Sequence, residues 1–257
     1  MAEKVHKVSV VTGAGSGIGR ACALALVADG WSVVLAGRRK DALEETAELA
    51  RAGAEQGRGG GQAVPVVADI TDADAVTRLF DEVAERFGRI DVLFNNAADT
   101  MPYTPTEDVA VEDWRRVLDS IATGTFLCSR AAYRMMKDQL PRGGRIINNG
   151  APSAHVPRPD SIAFTAAKHA VAGITRSLSL DGRRYDISCG QIDIGNVTPV
   201  GREQPPVRQA DGSLRVEPTM DVSHVVHMVV TMANLPVGVN IQSVTVMPAA
   251  MPYVGRG

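Results

Sequence analysis

Cysteine is scarce: Cys22, Cys128 and Cys189 are the only three in 257 residues, far apart and odd in number. They form no CxxC pair and no Cys/His grouping with metal-ligand spacing. That predicts free thiols in a reducing compartment and no metal site. Long hydrophobic runs are also missing. The first 30 residues hold only the short apolar stretch 8–11 before glycines interrupt it, which predicts neither a signal peptide nor a membrane span, and a cytoplasmic protein. No charge predominates: 27 Lys and Arg against 29 Asp and Glu leave a formal −2. Such a balance offers no bulk attraction for nucleic acid or an anionic membrane.

What is present describes an ordinary soluble chain, 45% hydrophobic and 22% charged, long enough for one large α/β domain or two small ones. Glycine is plentiful at 25 residues, above the roughly 7% usual in soluble proteins, and clustered, which points to tight turns. Short β-branched runs at 7–11, 32–36, 64–68, 91–94, 145–149, 187–192 and 241–247 predict strands. Segments of helical period at 17–30, 40–52, 72–87, 111–138, 162–180 and 222–233 alternate with them, and Thr71 is the expected N-cap of the third helix. Strands that are apolar throughout fit a sheet buried on both faces, and helical crossovers fit parallel strands. The fold class is therefore α/β: a Rossmann-like, doubly wound parallel sheet in a single domain, 1–257. Such sheets bind ligands beyond the carboxyl ends of their strands. The segment 196–218 has no clear period and is rich in Gly and Pro, as expected of a substrate lid.

The turn after the first strand reads Thr12-Gly13-Ala14-Gly15-Ser16-Gly17-Ile18-Gly19. Glycines there let the backbone approach a pyrophosphate, which then sits at a helix N-terminus. The spacing is TGxxxGxG, and it resembles the cofactor loop of the short-chain dehydrogenase/reductase family. Further stretches match that family in order: Asp69 after the third strand, followed by Ile70; Asn95-Asn96-Ala97-Ala98 where the family has NNAG; residues 144–148; and Lys168 in Phe164-Thr165-Ala166-Ala167-Lys168, where the family has YxxxK. The resemblance implies that Thr12, Gly13, Gly15, Ser16, Gly17, Ile18, Gly19, Asp69, Ile70, Asn95, Ala97, Lys168, Ile194 and Thr198 contact a nicotinamide dinucleotide. It also implies a small-molecule substrate and a homodimer or homotetramer. The second strand ends in Gly37-Arg38-Arg39 rather than in an acid. A guanidinium suits a 2′-phosphate, so NADP(H) is expected in preference to NAD(H).

The same resemblance exposes a gap. In the family a tyrosine exchanges the substrate proton, with a lysine four residues on, a serine thirteen residues before and an asparagine on the long helix. Matched residue by residue, the tyrosine, serine and asparagine positions hold Phe164, Ala151 and Ile121, and only Lys168 remains. A phenyl ring exchanges no proton, so ordinary carbonyl–alcohol interconversion loses its general acid. Ser153 and His155 are candidate replacements, His155 first because histidine titrates nearest neutrality. Asp99, Tyr103 and Tyr133 are further polar candidates. His169 is expected to point away from Lys168, and His224 and His227 to be surface or packing residues. Three functions stay open. One is hydride transfer, in specialised metabolism, to an acceptor that needs no proton, such as an iminium. Another is non-redox cyclase, isomerase or lyase chemistry on a hydrophobic substrate. The third is a non-catalytic dinucleotide-binding homologue.

Overall fold

Val10 and Val11 are neighbours in sequence but lie on opposite faces of one sheet, each in a different apolar core. Alternation of this kind, with both faces apolar, requires helices on both sides. The computed structural model describes residues 7–57, 60–198 and 204–254. Its strands are β1 (Val8–Thr12), β2 (Ser32–Gly37), β3 (Gln62–Val67), β4 (Val92–Asn95), β5 (Gly144–Gly150), β6 (Ile187–Ile194), β7 (Val207–Arg208), β8 (Leu214–Arg215) and β9 (Ser243–Val246). Seven of them form the main sheet in the order β3-β2-β1-β4-β5-β6-β9, all parallel. These are the seven predicted strands, with ends displaced by at most two residues. The order in which strands are added reverses between β1 and β4, so a crevice opens there beyond their carboxyl ends.

Helices α1 (Gly17–Ala28), α2 (Lys40–Glu55) and α7 (Val222–Ala233) cover one face, burying Leu26, Leu43 and Val229 against Val33, Leu35 and Phe94. On the other face α3 (Ala73–Phe87) and α5 (Gly124–Asp138) bury Leu79, Phe80, Cys128 and Met136 against Val34, Leu93 and Ile146. A third cluster joins α4 (Val111–Leu118) to α6 (Ile162–Asp181) through Val117, Ile121, Ala163, Ala167 and Val171.

Two expectations need correction. Thr71 does not cap α3: Asp69 Oδ1 accepts both the Thr71 N–H and its hydroxyl, and the cap falls to Asp72, whose carboxylate accepts from Asp74 N at 2.8 Å. The long helix over 111–138 is not uniform but carries a π-turn at Asp119–Thr123 between α4 and α5. This widened turn carries Ile121, which is buried; such turns recur at functional sites. Within 196–218, residues 199–203 lie outside the described residues, as do 1–6, 58–59 and 255–257 of the expected domain. The remainder contains a small antiparallel hairpin of β7 and β8.

Candidate active site

The glycine turn is locked to the β4 loop by one threonine. Thr12 Oγ1 accepts from Asn96 N at 2.9 Å and Ala97 N at 3.0 Å, and Asn96 Nδ2 donates to Thr12 O at 3.0 Å. Gly19 is required sterically, since a Cβ there would collide with the Gly13 carbonyl oxygen. Ser16 precedes α1 in extended conformation with no side-chain cap, which leaves the first-turn N–H groups facing the crevice. Arg20 braces the turn from below, donating to Gly15 O at 2.7 Å and to Glu45 Oε2 at 2.5 Å.

A cleft of about 390 Å³ lies above this turn. Of the residues expected at a cofactor, Gly13, Gly15, Ser16, Ile18, Arg38, Arg39, Asp69, Ile70 and Ala97 line it. Thr12, Gly19 and Asn95 support the wall without lining it, and Gly17 opens α1 with φ +53. Arg39 Nη2 donates to Ser16 Oγ at 3.3 Å, at the end of the helix where an anion would sit. Arg38 reaches across to Asp99, 3.6 Å away, which also pairs with Arg116 at 2.9 Å. Partial burial raises the Asp69 pKa, but the two Thr71 hydrogen bonds and the charge of Arg38 outweigh it and hold the carboxyl below its ordinary range.

Asn149 connects this cleft to Lys168. It lines the cleft, and its carbonyl accepts from Lys168 Nζ at 2.7 Å. Lys168 is 4% exposed; burial pulls its ammonium down from 10.5 to about 8, while the charge of Asp193 works the other way. Phe164, one helical turn earlier, places its ring centroid 5.5 Å from Lys168 Nζ. The same ring lines a second cavity of about 240 Å³ with Met101, Pro102, Tyr103, Val109 and Ile162. Ile121 is buried in the cluster that Phe164 packs against, and Ala151 is buried at the end of β5.

The remaining candidates are dispersed. Ser153 is buried in a short turn at 152–154. His155 faces away from both cavities: its Nε2 lies 3.0 Å from Asp193 Oδ2, in a small surface pocket beside Arg176 and Ser243. His169 bonds the Thr165 carbonyl and is exposed, as are His224 and His227. Tyr133 bonds Asp181 O between α5 and α6. Ile194 is buried at the end of β6, and Thr198 is exposed with its hydroxyl 2.9 Å from Thr219 Oγ1.

Two groups escaped the sequence. Asp193 is fully buried on β6; its signal is an acid flanked by Ile192 and Ile194 inside a strand. Arg158 has no such signal. It donates to Asn196 Oδ1 at 2.7 Å, Glu217 Oε2 at 2.5 Å and Tyr103 Oη at 2.9 Å, tying the β5–α6 loop to both ends of the 196–218 segment. Arg208 on the hairpin adds a 3.1 Å contact to Asp160.

A doubly wound parallel sheet with a glycine-floored crevice at its switch point belongs to the Rossmann-like class. The sequence profile of the family described as short chain dehydrogenase matches residues 7–206. The chain belongs to that family. A 3beta-hydroxysteroid dehydrogenase of Mediterraneibacter gnavus is 32% identical over 210 residues, 82% of this chain and 71% of the relative. A 3-oxoacyl-[acyl-carrier-protein] reductase of Synechocystis is 39% identical over 173 residues, 67% of each chain. Among solved structures, acetoin dehydrogenase from Enterobacter cloacae superposes with a TM-score of 0.80 at 27% identity, covering 95% of both chains. An alcohol dehydrogenase of Thermococcus sibiricus, complexed with 5-hydroxy-NADP, gives 0.81 at 22% identity over 96% of this chain and 98% of that one, a likeness of fold. No helix among the described residues is long and apolar enough to cross a membrane.

Proposed function

We propose that this chain is an NADP(H)-binding oxidoreductase that passes hydride to an acceptor needing no proton from the enzyme, an iminium being the type case. The observation that carries this is the phenyl ring of Phe164 beside Lys168, 5.5 Å from its ammonium, next to a cleft lined by the glycine turn, Arg38, Arg39 and Asp69. The cleft fits the cofactor: the glycine turn leaves no side chain where a pyrophosphate would approach, and the α1 N-terminus is uncapped. When bound, the reduced nicotinamide supplies the hydride. An iminium already carries its positive charge, so the hydride pair closes the C–H bond and neutralises the nitrogen together. No proton is required.

The chain's own residues then do four things. Arg38 and Arg39 form the binding site for a 2′-phosphate, since Arg39 already reaches Ser16 and Arg38 needs only to leave Asp99. Asp69, with Ile70, borders the adenine end of the cleft. Lys168, held on the Asn149 carbonyl, would use its remaining N–H groups to hold the ribose next to a bound nicotinamide. Phe164 lines an apolar cavity with Met101, Val109 and Ile162, while Ile121 and Ala151 are buried and bring no polar side chain to the positions where the family has asparagine and serine. The substrate is accordingly a hydrophobic small molecule. Exposed Phe126 on α5 and Leu180 on α6 support pairing of two copies through those helices.

Calorimetric titration with NADPH and separately with NADH tests the cofactor assignment. NADPH is expected to bind more tightly, and Arg38→Ala with Arg39→Ala to weaken it by about 10- to 100-fold, the equivalent of lost charged hydrogen bonds, while leaving NADH little changed. Binding of neither dinucleotide would overturn the proposal and leave a repurposed pocket or a non-catalytic protein.

A further inference from the structure

Behind Lys168 lies a line of buried polar side chains that the hydride step does not use. Asn95 Nδ2 on β4 donates to Asn148 Oδ1 on β5 at 2.9 Å, and Asn148 Nδ2 donates to Thr175 Oγ1 on α6 at 2.9 Å. The Thr175 hydroxyl shares its proton between Val171 O at 2.8 Å and Gln191 Oε1 on β6 at 3.2 Å. Gln191 Nε2 then donates to Asp193 Oδ1 at 2.6 Å. All five residues are buried. A carboxylate only accepts, so the line has a direction, with each donor aimed toward Asp193. Aligned bonds of this kind polarise one another and favour negative charge at the accepting end.

Asp193 has no accessible surface. Its second oxygen faces His155 Nε2 at 3.0 Å and Ser243 Oγ at 3.5 Å. A buried carboxylate is costly unless hydrogen bonds and an opposite charge accompany it. The opposite charge is Lys168, itself buried with its Nζ on the Asn149 carbonyl. The next residue, Gly150, is the register partner of Asp193, and a Cβ on it would collide with Asp193 Oδ1. The Asn149–Gly150 peptide thus lies between the ammonium and the carboxylate.

We propose that Asp193 is the buried counter-ion of Lys168, a positioning residue that keeps the ammonium charged in place of the anionic partner a phenol at position 164 would supply. His155 covers the carboxylate on its solvent side. Burial pushes the ammonium toward its neutral form, and the charge of Asp193 opposes that. Two further ionisable groups among the described residues lie nearby: Arg176, on α6 beside His155, and the thiol of Cys189 on β6, which burial pushes up to about 12 and keeps neutral. From β4, β5 and β9 the neighbours are uncharged: Asn95, Asn148 and Ser243. The assignment rests on the placement of Lys168 and Phe164 and is independent of cofactor preference.

The test is an NMR titration of the full chain labelled with ¹³C at lysine Cε, with no dinucleotide added. The chain holds five lysines, so loss of one signal in Lys168→Met assigns the resonance. The wild-type midpoint is expected near the value of about 8 given by burial and Asp193 together. Asp193→Asn keeps the shape and hydrogen bonds and is expected to lower that midpoint by about one pH unit or more, the size typical of losing a close opposite charge. His155→Ala admits water to the carboxylate and should lower it by less. If Asp193→Asn does not fold, Asp193→Ser, which leaves room beside Gly150, carries the same prediction. A midpoint unmoved in a folded Asp193 variant overturns the assignment. Because the titration contains no dinucleotide, its outcome is separate from that of the NADPH binding experiment.

Discussion

Replacing Lys168 by methionine should change how stability depends on pH, in a direction that the burial of its ammonium dictates. Lysine in an unfolded chain titrates near 10.5, and in the folded protein burial holds Lys168 at about 8. Between those values the unfolded chain binds the extra proton, so stability rises with pH across that window. Below about pH 8 the folded state must keep a buried ammonium, a penalty of roughly 3 kcal/mol relative to the unfolded chain. Above about pH 10.5 the penalty is gone. The methionine side chain of the Lys168→Met variant carries no proton in either state. Urea unfolding of both proteins from about pH 7 to about pH 10.5 therefore gives a wild-type minus variant difference that climbs by about 3 kcal/mol in favour of wild type. The three cysteines act in the opposite sense, since burial pushes each up to about 12 while unfolded thiols ionise earlier. That effect is common to both proteins and cancels in the difference. Parallel stability curves across the window would refute the buried-ammonium account.

Further predictions concern the lid anchor and the lost proton donor. Glu217→Ala leaves the half-buried Arg158 guanidinium without its carboxylate, which should cost about 1–3 kcal/mol locally; limited proteolysis is expected to cleave within residues 204–218 sooner than in wild type, and an unchanged digestion pattern would contradict the anchor. Phe164→Tyr with Ala151→Ser restores a phenol four residues before Lys168 and a hydroxyl at the end of β5. NADPH-dependent reduction of an activated ketone should then rise by about 10²-fold or more, the lower range for a general acid. No gain would mean that the pocket itself has been remodelled.

Much of this was legible because it rests on local patterns. Val8–Thr12 and Ile187–Ile194 are short runs buried along nearly their whole length, and their alternation with helical segments suits parallel strands covered on both faces. The glycine turn was legible for the same reason: Gly19 has no room for a side chain. Other features depend on partners distant in sequence. The π-turn at 119–123 is one widened turn inside an otherwise helical run, too local to stand out in the sequence pattern of 111–138. The two-residue strands β7 and β8 are too short to alternate. His155 lies four residues beyond the expected serine position, yet its partner is Asp193, 38 residues on, and it turns away from the cavities. Thr71 met a local competitor, Asp69, that takes both of its donors.

The central claim is hydride transfer without a protein proton donor, and isotope transfer tests it most directly. Purified protein is incubated with NADPH carrying deuterium at the transferring position, alongside a hydrophobic cyclic iminium and, separately, the ketone of matching shape. The account predicts deuterium on the former iminium carbon in the presence of wild-type protein, with the ketone unreduced. Equal or faster reduction of the ketone by wild type, or no transfer to any iminium while NADPH binds, would contradict it.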